Sequence, residues 1–279
     1  MKVVTLIENT SKDNDLFKEH GLSLYIEKGN KKILMDIGKS NKVIENAKKL
    51  NVDIEDIDMV ILSHGHYDHG GGLLDFLKIN RKAKVYLKKE TKQDMYSCYG
   101  ENKRYIGLDK SIFEDYSHRL IFIDKFTEIY KDVFIITDIK KEDTMPQGNQ
   151  SLYIKNGETY ENDNFQHELI LAIREEEGIV IFTGCAHSGI LNMIKTVKKI
   201  FQEEKIKAIV GGFHLMIMSL DRNVSYDNQQ IKRIAEKILE EDIEKVYTGH
   251  CTGEQGYIYL KTILEDKIDY IYTGKKIYL

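Results

Sequence analysis

The sequence predicts an α/β protein, one domain with two similar β-rich halves. Three observations point there. Strand-like and helix-like patterns alternate along the first third of the chain and return in the last third. No linker, low-complexity stretch or short repeat separates them. The 279 residues, 42% hydrophobic and 31% charged, suffice to bury a large core, which excludes a disordered chain.

The elements follow in order. Val3 to Ile7 is a short apolar run. Leu22, Leu24 and Ile26 alternate with Ser23, Tyr25 and Glu27, the period of a half-buried strand. Gly29-Asn30 turns the chain into a second strand, Lys32 to Ile37. Ser40 is the predicted N-cap of a helix that places Val43, Ile44, Ala47 and Leu50 on one face. Met59 to Leu62 is a buried strand running into a histidine-rich segment, and a helix begins at Leu73. The middle, about 88–164, is rich in Tyr, Lys and Asp. It holds strands at Leu120 to Ile123 and Val133 to Thr137 and a hairpin around Asn156-Gly157. It reads either as an elaboration that borders the site or as an ordinary surface insertion. Leu169 to Ile173 and Ile179 to Phe182 are strands joined by a Glu-rich turn, and Ile190, Ile194, Val197 and Ile200 share a helix face. Ala208 to Val210 ends in Gly211-Gly212-Phe213-His214, a helix spans about 228–240, and Lys245 to Thr248 ends in Gly249-His250-Cys251. Thr273-Gly274 reads as the turn of a terminal hairpin.

Composition narrows the function. The formal net charge of -4, from 41 basic and 45 acidic residues, argues against a binder of long nucleic acid. The three cysteines, Cys98, Cys185 and Cys251, are odd in number and widely spaced, so a disulfide framework is not expected and a reducing cytoplasm fits. Met1 to Ile7 meets Glu8 too soon for a signal peptide, and no apolar run approaches the ~20 residues needed to cross a bilayer. The expected partner is a small-molecule substrate.

His64, His66 and His69, with Asp68, crowd the loop after the buried strand. A loop at a strand end aims several side chains at one point while the scaffold holds the backbone still. Imidazole and carboxylate suit zinc and neighbouring divalent ions. The two-residue step keeps His64 and His66 on one side of an extended backbone. Gly70, Gly71 and Gly72 let backbone pass close by.

The string His64-Gly-His66-Tyr-Asp68-His69-Gly-Gly-Gly-Leu73 resembles the signature of the metallo-β-lactamase superfamily. Leu34-Met35-Asp36-Ile37-Gly38, Phe182-Thr183-Gly184 and Tyr247-Thr248-Gly249-His250 resemble its other landmarks, in the same order. Thr183-Gly184-Cys185-Ala186-His187-Ser188-Gly189-Ile190, Gly211-Gly212-Phe213-His214-Leu215 and Gly249-His250-Cys251-Thr252-Gly253 are similar to motifs of a narrower subfamily. Its members are metal-dependent hydrolases named as dihydropterin ribofuranosyl-aminobenzene-phosphate synthases. The resemblance implies a four-layer αβ/βα sandwich over 1–279 with a metal centre at one sheet edge. It implies two divalent ions, zinc by default, iron or manganese as alternatives. His64 and His66 would hold the first ion, Asp68, His69 and His250 the second, and Asp36 would orient a ligand histidine.

Cys185 stands where the wider superfamily usually carries a bridging aspartate. His187 is the favoured remaining ligand of the first ion, and His167 the alternative. Cys185 reads as a thiolate ligand or as a small buried residue, and the working expectation makes it dispensable for metal binding. Asp68 and His214 are the candidate catalytic side chains; His214 would serve substrate binding or proton transfer. Cys251 and Thr252 would line the pocket, and Glu8-Asn9-Thr10 is within reach of it. His20 and His118 read as surface residues, and Cys98 receives no role. The expected activity is hydrolysis by metal-bound hydroxide of a small phosphate-bearing or other anionic ester. The rivals are a nuclease-type phosphodiesterase on the same fold, a di-iron redox enzyme, and a non-enzymatic ligand sensor that kept the metal site.

Overall fold

Apolar residues on both faces of most strands dictate the architecture. In the computed structural model, which describes residues 1–221 and 223–279, Leu24, Ile26, Ile33, Met35 and Ile61 face Leu171, Ile173, Val180, Phe182 and Val210 across a shared core. The alternate residues of the same strands turn the other way. Tyr25, Leu34 and Val60 pack under Val43, Ala47, Leu73 and Phe76 of two helices. Ile170, Ile179, Ile181 and Ile209 pack under Ile194, Val197, Ile231, Ile234 and Leu260 of three others. The result is helix, sheet, sheet, helix: the four-layer sandwich. Strands buried on both faces are what this layering requires. The strand predicted as half-buried is covered on both faces near its start, where Ser23 and Tyr25 are buried as well.

Each sheet has seven strands. The first runs in the order Lys276–Tyr278, Lys2–Ile7, Ser23–Lys28, Lys31–Met35, Met59–Ile61, Lys84–Leu87, Leu120–Phe122. The second runs Ile268–Tyr270, Lys245–Thr248, Ile206–Val210, Gly178–Phe182, Ile170–Glu175, Val133–Ile136, Thr127–Tyr130. In each, part of the sheet is antiparallel and part is parallel. The parallel strands Met59–Ile61, Gly178–Phe182, Ile206–Val210 and Lys245–Thr248 all feed histidine-bearing turns. The middle region contributes strands to both large sheets. It also forms a separate four-stranded sheet from Thr159–Asn162, Leu152–Asn156, Asp94–Tyr99 and Asn102–Tyr105.

Two local expectations change. The first helix spans Lys42–Lys49, and its N-cap is Asn41, not Ser40. The Ser40 hydroxyl donates to Glu19 Oε2 at 2.6 Å, and Glu19 also accepts from the Lys39 and Ser40 amides, so Glu19 organises this turn. Thr273-Gly274 does not close a hairpin. Ile268–Tyr270 ends the second sheet and Lys276–Tyr278 joins the first. The crossing is pinned by the Glu8 amide on Thr273 Oγ1 at 2.9 Å and by the Gly274 amide on the Thr5 carbonyl at 2.8 Å. No helix among the described residues is long and apolar enough to cross a membrane.

Candidate metal centre

Buried carboxylates hold the strand-end turns in place. Asp36 accepts the Ser63 amide at 2.7 Å, the Ser63 hydroxyl at 2.7 Å and His69 Nδ1 at 2.7 Å. Glu168 accepts the amides of His187 and Ser188, each at 2.7 Å. Glu8 accepts the His250 amide at 2.6 Å. Asp36, Ala186, His214 and His250 have positive φ of 61°, 56°, 49° and 51°. That conformation is uncommon for non-glycine residues, and four of the chain's cases among the described residues fall on the turns of this site.

The turns bring the predicted residues together. The rings of His64, His66 and His187 lie with centroids 4.6 to 4.9 Å apart, all three buried. His69 Nε2 lies 3.1 Å from His250 Nε2, and Asp68 Oδ2 lies 3.8 and 3.3 Å from those two atoms.

Hydrogen-bond partners assign the tautomers. Ser63 Oγ donates to Asp36, so at 2.8 Å it accepts from His64 Nδ1. Asn149 donates its amide nitrogen to the His187 carbonyl, so its Oδ1 accepts from His187 Nδ1 at 3.0 Å. Asn9 Oδ1 takes the Gly21 amide and His250 Nδ1, and Asp36 takes His69 Nδ1. Each Nδ1 therefore carries the proton, and each Nε2 presents a lone pair. The Nε2 atoms of His64, His66 and His187 are buried without any partner. Those of His69 and His250 lie 3.1 Å apart with Asp68 Oδ2 beside both. Buried acceptors are ordinarily satisfied, so this arrangement calls for a cation. The donor set of imidazoles with one carboxylate fits divalent ions, zinc included.

The electrostatics agree. Burial, then the neighbouring imidazoles, pushes His64 and His187 well below the ordinary histidine range, and burial with His167 takes His66 down to about 3. These rings stay neutral, as ligands must be. Burial works to raise the Asp68 carboxyl, but His69, His20 and His250 outweigh it and hold Asp68 ionised.

Cys185 occupies the middle. Its Sγ is 3.2 Å from His69 Nε2, and it shares one 4.8 Å neighbourhood with His64 and His187 and another with His69 and His250. The sulfur thus contacts His69 and borders the His64–His187 group. His167 is spent elsewhere: its Nδ1 accepts the Gly65 amide at 3.1 Å and its Nε2 donates to Asp163 at 2.9 Å. With both nitrogens used, His167 supports the His64–His66 loop and has no lone pair for an ion. His20 is exposed, as expected of a surface residue, and its Nε2 also lies 3.3 Å from Asp68 Oδ2. His118 stays apart, in a short 3₁₀ turn of Ser117–Arg119.

His214 packs against His187 with ring centroids 4.1 Å apart and planes tilted by 56°, and neither of its buried ring nitrogens has a partner. It faces a cavity of about 510 Å³ that also reaches His66, Asp68, His187, His250 and Cys251. The far wall comes from the separate four-stranded sheet, through Tyr99, Lys103 and Arg104. Of the two readings of 88–164, an elaboration bordering the site or a surface insertion, this sheet shows the region bordering the cavity; sequence reasoning missed Asn149, Glu168 and the approach of His20 to Asp68, because nothing local marks a residue whose role depends on a distant neighbour.

The sequence profile of the metallo-β-lactamase superfamily matches residues 17–159. The chain belongs to this superfamily. Superfamily members bind divalent metals, often zinc, which agrees with the inward-facing imidazoles. Among the relatives is a 7,8-dihydropterin-6-methyl-4-(beta-D-ribofuranosyl)-aminobenzene-5'-phosphate synthase of Methanocaldococcus jannaschii. It is 30% identical over 99% of this chain and 95% of its own length. The solved structure of Tm1679, a metal-dependent hydrolase of the β-lactamase superfamily, is 33% identical with a TM-score of 0.83, covering 100% of this chain and 99% of that one. Zinc-bound PqqB from Methylobacterium extorquens aligns over the whole of both chains at a TM-score of 0.59 and 11% identity, a likeness of fold alone.

Proposed function

We propose that this superfamily member is a hydrolase acting on a small phosphate-bearing ester through a dinuclear metal centre. The observation that supports it best is the cluster of buried imidazole Nε2 atoms around Cys185 at the floor of a cavity that Arg104 also lines. His64, His66 and His187 would hold one ion; Asp68, His69 and His250 would hold the other, with the Cys185 sulfur between them. Bound divalent ions supply Lewis acidity for the ester oxygens and acidify a water to a pKa of about 7.

The chain's own residues do the rest. Asp36, Asn9, Asn149 and Ser63 keep the ligand rings in one tautomer. His214, with both nitrogens free and a face open to the cavity, is placed to give a proton to the leaving oxygen. Asp68 is the one acidic side chain among the cavity-lining residues, so an anionic ester meets little repulsion. The relative from Methanocaldococcus jannaschii supports the substrate class, since the product in its name carries a 5'-phosphate.

That relative is named a synthase, so the test must separate hydrolysis from condensation. Zinc-, manganese- and iron-loaded protein is offered a panel of phosphate mono- and diesters in water with no second organic acceptor. Hydrolysis is expected, with a rate that rises with pH through the pKa of the reacting water and that is lost in His66→Ala. No turnover of any ester with two ions bound would sink the hydrolase reading and favour the sensor or the synthase.

A further inference from the structure

The dinuclear reading uses Cys185 and leaves two side chains of ligand type beside it without a metal. His214 follows the strand Ile206–Val210, and Cys251 follows the strand Lys245–Thr248. These strands are parallel neighbours, so their end turns lie side by side. The sulfurs of Cys185 and Cys251 and a ring nitrogen of His214 all lie within 4.8 Å of one another. A tetrahedral zinc, with Zn–S of about 2.3 Å and Zn–N of about 2.0 Å, sets its ligands roughly 3.6–3.8 Å apart. Small side-chain adjustments therefore close the three atoms on one ion.

The surroundings of each member fit this use. Both cysteines are buried and free. Both nitrogens of the His214 ring are buried without a partner, and buried polar atoms are ordinarily satisfied. Backbone donors fasten the two turns around Cys251. Its Sγ accepts the His214 amide at 3.2 Å, and its carbonyl accepts the Leu215 amide at 3.0 Å. Thr252 Oγ1 takes the Phe213 amide at 3.0 Å. Outer partners of this kind hold a ligand atom in one orientation. Gly212 makes room for the sulfur, since a Cβ there would strike Cys251 Sγ.

We propose that Cys251, His214 and Cys185 form a third metal site, which shares only Cys185 with the histidine-bound ions. Two sulfurs and one imidazole make a soft donor set. It selects zinc, cadmium or copper(I) over manganese and magnesium. All three residues line the cavity, so the fourth position of a tetrahedral ion stays open to it. An ion here occupies the His214 ring, so zinc in excess removes the proton donor of the hydrolytic reading. That consequence rests on the hydrolytic reading; the site itself does not.

Cadmium is the probe, because its bonds to thiolate absorb in the ultraviolet. It is titrated under reducing conditions into the Cys98→Ser chain, whose remaining thiols are those of the site. Bound metal is counted by elemental analysis after gel filtration. This parent should hold one cadmium more than its Cys251→Ser or His214→Ala derivative. The charge-transfer absorbance should fall by roughly half in Cys251→Ser, which keeps one of the two thiolates. Manganese, which the soft set rejects, should bind equally to all three proteins. Melting of the chelator-treated chains shows that each variant folds, and His214→Ala decides alone if Cys251→Ser does not. Equal cadmium content in parent and variants makes any extra ion adventitious and overturns the site. Loss of manganese from the variants overturns it too, because Cys251 and His214 would then belong to the histidine centre. Neither readout is turnover, so failure of the hydrolase leaves the site standing, and failure of the site leaves the hydrolase.

Discussion

At the scale of single residues, the decisive feature is which ring nitrogen carries the proton. Ser63, Asn149, Asn9 and Asp36 each take an Nδ1 proton, and the Nε2 atoms converge. His187→Ala should therefore lose much of one ion, and Cys185→Ser should lower metal content as well, because its sulfur borders both groups. Cys98→Ser, half-buried and remote from both, should keep the full complement. Elemental analysis of metal-replete protein checks all three; a Cys185→Ser protein with two ions would restore the simpler view of that thiol. The same residues predict a pH dependence for the chelator-treated chain. His64, His66 and His187 have folded pKa values below the unfolded value, so the unfolded chain takes up protons first as pH falls. The folded state should lose stability below about pH 6.5, on the order of 1 kcal/mol per pH unit for each ring. Asp68, whose pKa is also lowered, adds a loss only below about pH 4 and leaves this window unchanged, while His69, raised by Asp36 and Asp68 despite its burial, opposes the loss. A melting temperature that holds or rises between about pH 7 and 5.5 would contradict this balance.

At the scale of elements, the site is a set of strand-end turns, three of them clamped by an acid from another element and the Gly211–His214 turn held by Cys251 and Thr252. Asp36 ends Lys31–Met35 yet fixes Ser63 and His69; Glu8 ends Lys2–Ile7 yet fixes His250. Gly184 shows how closely the turns pass. A Cβ there would lie 2.1 Å from Ser63 Oγ and 2.9 Å from His64 Nδ1, so the Thr183-Gly184 turn of one half touches the histidine loop of the other. Asp36→Asn keeps the shape but offers an amide donor among groups that need an acceptor. It should weaken metal binding about 10–100-fold while leaving the fold intact, since partners of this kind fix ligand orientation. Competition with a chelator of known affinity measures it, and an unchanged affinity would show that the His69 tautomer does not matter.

At the scale of the molecule, neither half holds a complete centre. His64, His66, Asp68 and His69 come from the first sheet's turns, and Cys185, His187 and His250 from the second's. Metal binding should thus tie both halves into one cooperative unit. Removing the ions should lower the melting temperature of the whole chain in a single transition, by an amount equivalent to about 3 kcal/mol when free metal had stood at roughly 100 times Kd. Scanning calorimetry with and without chelator checks this. Two separated transitions in the metal-bound protein would mean that the halves melt independently.

The sequence by itself determined the period of the strands and helices, the placement of histidines at strand ends, and the crowding of His64, His66, Asp68 and His69. These are local properties, set by alternation, turn chemistry and ligand type, and they survive without knowledge of the fold. Tertiary structure decided what depended on distant neighbours. The alternation over Leu22 to Glu27 reads as a half-buried strand until a helix layer covers Tyr25, and Thr273-Gly274 looks like a hairpin turn until its two strands join different sheets. His20 sits in an unremarkable stretch, and only folding carries it to Asp68; His167 has the right chemistry for a ligand, and only folding spends both its nitrogens. Hydrogen bonds between residues a hundred or more apart leave no mark in the pattern of either segment. The tautomers, the position of Cys185 and the far wall of the cavity are therefore properties of the packed chain.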